Sequence, residues 1–186
     1  MILPIYAYGQ PILKKVAVDI SPNDESIGAF VKDMWETMYH AQGVGLAAPQ
    51  VGKSWRIFLV DTIQVMEEGD EEKGIKKAFI NAQIIEETGD HWAYEEGCLS
   101  IPNIRGDVER QEKIIIRYQD ENFEEHTEEF EGINARVIQH EYDHIDGKLF
   151  TEKLKPLKRK MIKRKLDQIK EGKAKSEYRL KFVSQR

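Results

Sequence analysis

The nine residues Gln139-His140-Glu141-Tyr142-Asp143-His144-Ile145-Asp146-Gly147 constrain this chain more than any other stretch. They contain H-E-x-x-H, two histidines four residues apart with a glutamate directly after the first. On an α-helix that step is close to one turn, so both imidazoles leave one face and can grip a single metal ion. Glu141 lies about 100° round the axis from His140, near enough to act on water at such an ion without binding it. Gly147 stands where a left-handed residue would end the helix. Two ligands do not make a site, so the rest of the chain has to complete it.

A chain of 186 residues is long enough for one domain with a real core, without disulfides or oligomerisation. A monomer is expected. Cys98 is the single cysteine, which excludes an internal disulfide framework and suits a reducing compartment. The N-terminus has no basic segment followed by an apolar run, and no stretch approaches the ~20 apolar residues that cross a bilayer. A cytoplasmic protein without membrane contact is the expectation.

Apolar periodicity then orders the elements. The first segment, with Pro4, Gly9 and Pro11, reads as extended chain laid across the body. Ser21-Pro22 reads as a helix start, and Ile27, Phe30, Val31, Met34 and Met38 continue an amphipathic helix to about Ala41. Arg56–Asp61 and Ala78–Ile85 read as strands, joined by a charged, glycine-punctuated solvent loop at Glu67–Gly74. Lys113–Tyr118 and Phe123–Phe130 read as a hairpin turning at Asp120-Glu121-Asn122. Gly132 ends the strands, Asn134 is a candidate cap for the histidine helix, and a further helix begins near Lys153. Strands in the middle and helices near both ends give an α+β fold. Its sheet is mainly antiparallel, around a central helix bearing H-E-x-x-H, with an N-terminal and a C-terminal helix. Residues 1–170 form one catalytic domain that includes the C-terminal basic helix. From Gly172 the helical pattern fades, which leaves 171–186 as a tail with no readable order.

The missing ligand can be approached by elimination. A metzincin continues its motif to a third histidine, but this chain has Phe150 at that position, and phenylalanine cannot ligate. A glutamate completes other sites of this type, yet Glu171 and Glu177 lie in or beyond the lysine-rich tail. Cys98 is the strongest remaining candidate, a soft thiolate in the short Gly97-Cys98-Leu99 loop. A Cys-His-His set leaves one position open, as catalytic sites do. A lone cysteine is also commonly an inert buried thiol, and the residue pattern alone leaves both readings standing.

Gly43-Val44-Gly45-Leu46-Ala47-Ala48-Pro49-Gln50, Glu96-Gly97-Cys98-Leu99-Ser100 and His140-Glu141-Tyr142-Asp143-His144 together resemble the three signature motifs of the peptide deformylases, in that family's order. The resemblance runs from near the N-terminus to about Leu166. It implies removal of the N-formyl group from the N-terminal methionine of nascent polypeptides, with release of formate. It also implies one divalent metal held by Cys98, His140 and His144, usually Fe²⁺, with Zn²⁺, Ni²⁺ or Co²⁺ able to take the same place. Glu141 would carry the proton between water and leaving amine. The Gln50 amide and the Leu99 N–H would stabilise the oxyanion, while Gly43 and Gly45 let backbone lie against substrate.

Helix geometry adds candidates for substrate. Val137 and Ile133 lie three and seven residues before His140 on one face, and with Val44 and Tyr94 could line an apolar pocket for the methionine side chain. Of Arg105 and Arg110, one is a candidate contact for peptide backbone and the other for an ion pair with Glu96. Asp143 is a candidate to orient a histidine; His40, His91 and His126 read as surface residues. From Thr151 onward there are 14 Lys and Arg against 4 Asp and Glu, in a chain of net charge −5. A basic helix on an acidic body suits a polyanionic partner, and it resembles the tail with which some deformylases dock on the ribosome. Two other readings compete: another H-E-x-x-H metallopeptidase, and a non-catalytic ribosome-binding protein.

Overall fold

The computed structural model describes residues 1–183. In chain order the regular elements are β1 (Ile5–Tyr6), α1 (Ser26–His40), β2 (Gly45–Ala47), β3 (Ile57–Asp61) and β4 (Lys76–Cys98). They continue with β5 (Ile101–Gln119), β6 (Glu125–Glu131), α2 (Gly132–Ile145), α3 (Pro156–Lys170) and β7 (Leu180–Lys181). Strands β2-β3-β4-β5-β6 form one antiparallel sheet in that order, so the α+β expectation holds. Among the described residues no helix is long and apolar enough to cross a membrane.

The sheet separates two cores. Along β3, Ile57 and Leu59 point into a core shared with Val31, Met34 and Met38 of α1 and Ile162 and Ile169 of α3. The alternate residues Phe58 and Val60 point to the other side, against Ala135, Val137 and Ile138 of α2. Burial on both faces explains why β3 reads as an unbroken apolar run. Phe79 stacks on Phe58 with ring centroids 4.8 Å apart and meets Tyr118 at 4.4 Å, packing three strands under the histidine helix.

Several boundaries differ from the sequence reading. Helix α1 starts at Ser26, because the Asp24 side chain accepts from the Ser26 N–H at 3.0 Å while Ser21 and Pro22 stay in the preceding turn. Asn134 does not cap α2; its amide reaches the Thr62 hydroxyl and the Lys73 carbonyl. The strands β4 and β5 are far longer than their apolar runs. They form one ribbon whose outer part, Glu86–His91, is charged and mostly exposed and whose register shifts repeatedly. Those shifts break the alternation by which a strand is recognised. Within 171–183 the tail also has structure: β7 pairs in parallel with β1, and Leu180 and Phe182 enter the core, while 184–186 lie outside the described residues.

Helix α2 ends as Gly147 suggests. The Lys148 N–H reaches the Asp143 carbonyl at 2.9 Å and the Gly147 N–H reaches that of His144 at 3.2 Å, a Schellman pair. Gly147 has φ +70°, and a Cβ there would stand 2.6 Å from the Lys14 carbonyl oxygen. Gly147→Ala combines left-handed strain of about 1–2 kcal/mol with that clash. Its urea unfolding free energy should fall by at least that amount; an unchanged midpoint would show the motif to be dispensable.

Candidate metal centre and active site

Cys98 closes β4 and faces Ile101 of β5 across the two-residue turn Leu99-Ser100. Helix α2 brings His140 and His144 beneath that turn. One ligand atom from each of Cys98, His140 and His144 lies within 4.8 Å of the others, and Cys98 Sγ is 3.3 Å from His144 Nε2. His140 Nδ1 is held by Glu96 Oε1 at 2.8 Å, which leaves its Nε2 for the centre of the cluster. Phe150, the residue that rules out a third histidine, packs its ring against His140 at 5.9 Å between centroids.

Glu96 is the hub of this arrangement and is only 5% exposed. Arg110 grips it with two bonds, at 2.8 and 2.9 Å, and Arg136 adds a third at 2.9 Å. Arg110 also binds Asp143 at 2.8 Å. Asp143 therefore holds an arginine rather than a histidine, a correction to the sequence reading. Burial alone would raise the Glu96 pKa, but His140 and Arg110 hold it well below the usual carboxylate range. The signal for Glu96 was present, two residues before the cysteine, but its role depends on partners 14, 40 and 44 residues away.

The donor set suits a cation. Burial and the charges of His140 and Arg110 keep His144 well below its ordinary pKa, hence neutral and free to donate a lone pair. At His140 burial works against charge, yet Cys98 and Glu96 on either side raise its pKa well above the ordinary value. Glu141 beside the three donors is buried, its Oε2 has no hydrogen-bond partner among the described residues, and burial pushes its pKa up to about 7.

Both glycines of the first motif stand against the other two motifs. A Cβ on Gly45 would lie 2.4 Å from Glu141 Oε1, and one on Gly43 would lie 2.8 Å from Leu99 Cδ1. Gln50, 2% exposed, accepts from the Ala47 N–H at 2.9 Å. Its amide donates to Ser100 Oγ at 3.2 Å and lies 3.4 Å from Cys98 Sγ. Gly43, Gly45, Gln50, Cys98, Leu99 and Glu141 face one cavity of about 950 Å³. Val44, Gly45, Gln50, Tyr94, Cys98, Leu99, Arg105, Ile133, Val137, His140 and Glu141 line it, and His144 lies behind them. Arg105 pairs with exposed Glu95 at 2.9 Å. Sequence reasoning missed one wall, Lys175–Tyr178 from the tail.

A family profile described as Polypeptide deformylase matches residues 2–160. The chain belongs to that family. A peptide deformylase of Christiangramia forsetii is 54% identical, over 98% of this chain and 96% of its own. One from Flavobacterium psychrophilum is 52% identical, over 98% of each. The crystal structure of a peptide deformylase from Legionella pneumophila superposes with a TM-score of 0.81 at 38% identity, over 95% of this chain and 99% of its own. Membership sets aside the readings as another metallopeptidase and as a non-catalytic ribosome-binding protein.

The buried charges give a direct test. Glu96→Ala strips two arginines and a histidine of their shared counter-charge, and such losses cost about 3–5 kcal/mol. Urea unfolding should register a loss of that size. A loss below about 1 kcal/mol would mean that the network is solvated rather than buried.

Proposed function

We propose that this chain removes the formyl group from N-formylmethionyl nascent polypeptides, releasing formate, with Cys98, His140 and His144 as ligands of one divalent cation. The observation that most directly supports this reading is a thiol and two imidazoles within 4.8 Å of one another, beside a buried glutamate whose Oε2 has no partner among the described residues. A bound divalent cation supplies Lewis acidity and brings the pKa of water toward ~7. Resemblance favours Fe²⁺ as that cation, while the donor set suits Zn²⁺, Ni²⁺ or Co²⁺ as well.

The chain's own groups then have distinct tasks. Glu141, poised by burial near neutral pKa, takes the proton of the attacking water and delivers it to the leaving amine. The Gln50 amide and the Leu99 N–H donate to the oxygen of the formyl group as negative charge develops there. Ser100 and Ala47 fix Gln50 at both ends of its amide, so this donor is oriented in advance. Val44, Ile133, Val137 and Tyr94 hold the methionine side chain, and Arg105 meets the peptide backbone. Helix α3 presents Arg159, Lys160, Lys163, Arg164 and Lys165 to solvent, with Lys155 just before it, a surface suited to a ribosome. We place the protein in the cytoplasm as a monomer.

Formate release from formyl-Met-Ala-Ser, measured together with metal content, tests the reading; a metal-loaded wild-type protein that yields no formate would sink it. Cys98→Ala should lose the metal. Glu141→Gln should retain it while kcat drops about 10²–10⁴-fold.

For the basic helix, deleting the chain beyond Pro156 would remove Ile162, Ile169, Leu180 and Phe182 from the core. Reversing Arg159, Lys160 and Arg164 to glutamate leaves the core intact. Ribosome association at low salt should weaken while hydrolysis of a free formyl-peptide is unchanged. Undiminished association would exclude α3 as the anchor.

A further inference from the structure

The turn that presents Leu99 is held mainly from outside. The Tyr8 N–H donates to the Ser100 carbonyl at 2.8 Å, and Gln50 donates to the Ser100 hydroxyl at 3.2 Å. The third contact comes from the tail: the Tyr178 hydroxyl donates to the Leu99 carbonyl at 2.7 Å. Of these three, only Tyr178 grips Leu99 itself. Its segment lies beyond residue 160, where the family profile ends.

Tyr178 is itself tethered on both sides. After it, the Ile5 N–H donates to the Arg179 carbonyl at 2.9 Å and the Ala7 N–H to that of Lys181 at 3.0 Å. Before it, the Asn103 amide donates to the Lys175 carbonyl at 3.0 Å. Leu180 and Phe182 anchor the following strand in the core. A hydroxyl fixed in this way works as a rigid stop on the peptide plane that follows Leu99.

We propose that Tyr178 is a positioning residue for the reaction, its hydroxyl setting the Cys98-Leu99-Ser100 turn so that the Leu99 N–H points at the reacting carbonyl. This rests on the deformylase reading and on the oxyanion role given to Leu99. The physical reason is geometric. A donor counts toward the transition state only where the oxyanion forms, and a displacement of about 1 Å can cost about 10²-fold in rate. Leu99 carries its donor on one peptide unit and its clamped carbonyl on the next. Rotation about the bonds of this one residue is therefore what the clamp suppresses. Groups that support a reacting constellation in this way act without touching substrate.

Tyr178→Phe removes the hydroxyl and keeps the ring. On formyl-Met-Ala-Ser its kcat should fall about 5- to 30-fold, less than loss of a donor outright, with KM within about twofold, and metal content and urea midpoint should match wild type. Asn103→Ala frees the Lys175 end while sparing the hydroxyl, and should keep kcat near wild type. An unchanged kcat in Tyr178→Phe overturns the proposal. So does a loss that runs in parallel with lost metal or stability, or one that Asn103→Ala reproduces, since each makes the contact a matter of tail docking. The carbonyl ¹³C signal of Leu99 in zinc-loaded protein judges the clamp without turnover and should shift in Tyr178→Phe. A wild-type protein that releases no formate would defeat the deformylase reading, and an unmoved Leu99 signal would defeat the clamp.

Discussion

The carboxylate of Glu96 is where the catalytic end of this molecule is tied together. It sits on the last turn of strand before Cys98, and it accepts from His140, Arg110 and Arg136 at once. Arg136 is 1% exposed, and Glu96 supplies the counter-charge that its burial requires. With Asp143 on the far side of Arg110 the cluster carries two negative and two positive side chains, and its field nearly cancels at a distance. Close by it does not cancel. One oxygen of Glu96 faces His140 and fixes which imidazole nitrogen is left for the shared centre. A hydrophobic replacement of this cluster would fill the space, yet it would leave the ring free to turn. We read the buried charge as the means of orienting a ligand, with stability supplied by the two cores on either side of the sheet.

The glycines show how tightly the three motifs depend on one another. Gly45 is small because Glu141 occupies the space its side chain would need, and Gly43 because Leu99 does. Each motif thus contributes an absence as well as a group. The first motif supplies Gln50 and makes room for Glu141 and for the Leu99 side chain. Close approach of backbone to carboxylate also excludes water from one side of Glu141, and that desolvation is the largest influence on its pKa.

Much of this was readable in the chain, for identifiable reasons. A four-residue histidine spacing has one helical meaning, and Val137 and Ile133 follow from the same geometry; these residues do line the cavity that contains Cys98. The hairpin read as Lys113–Tyr118 with Phe123–Phe130 was visible in its β-prone runs and turn residues, though the second strand begins at Glu125. What escaped reading depends on partners distant in sequence. Asp143 lies on the helix beside the histidines, but it is claimed by Arg110 from a strand. The β4–β5 ribbon is long because each strand supplies the other's hydrogen bonds, and its charged outer residues record none of that. Leu180 and Lys181 form a strand only because Ile5 and Tyr6 are there to pair with them.

That last pairing bears on how the site is assembled. The contacts of Gln10 with Phe182 and of Tyr6 with Lys181 join positions 172 and 175 residues apart. Closing so large a loop in an open chain costs entropy that two short strands, with two paired residues each, cannot recover on their own. The wall formed by Lys175–Tyr178 therefore depends on the sheet, α1 and α3 holding Ile5 and Leu180 together. Cys98, His140 and His144 themselves stand on β4 and α2, which belong to the central sheet and the helix packed on it. The fold therefore separates bringing Cys98, His140 and His144 together from shaping the cavity around them. The first depends on the central sheet, and the second on the two ends of the chain meeting.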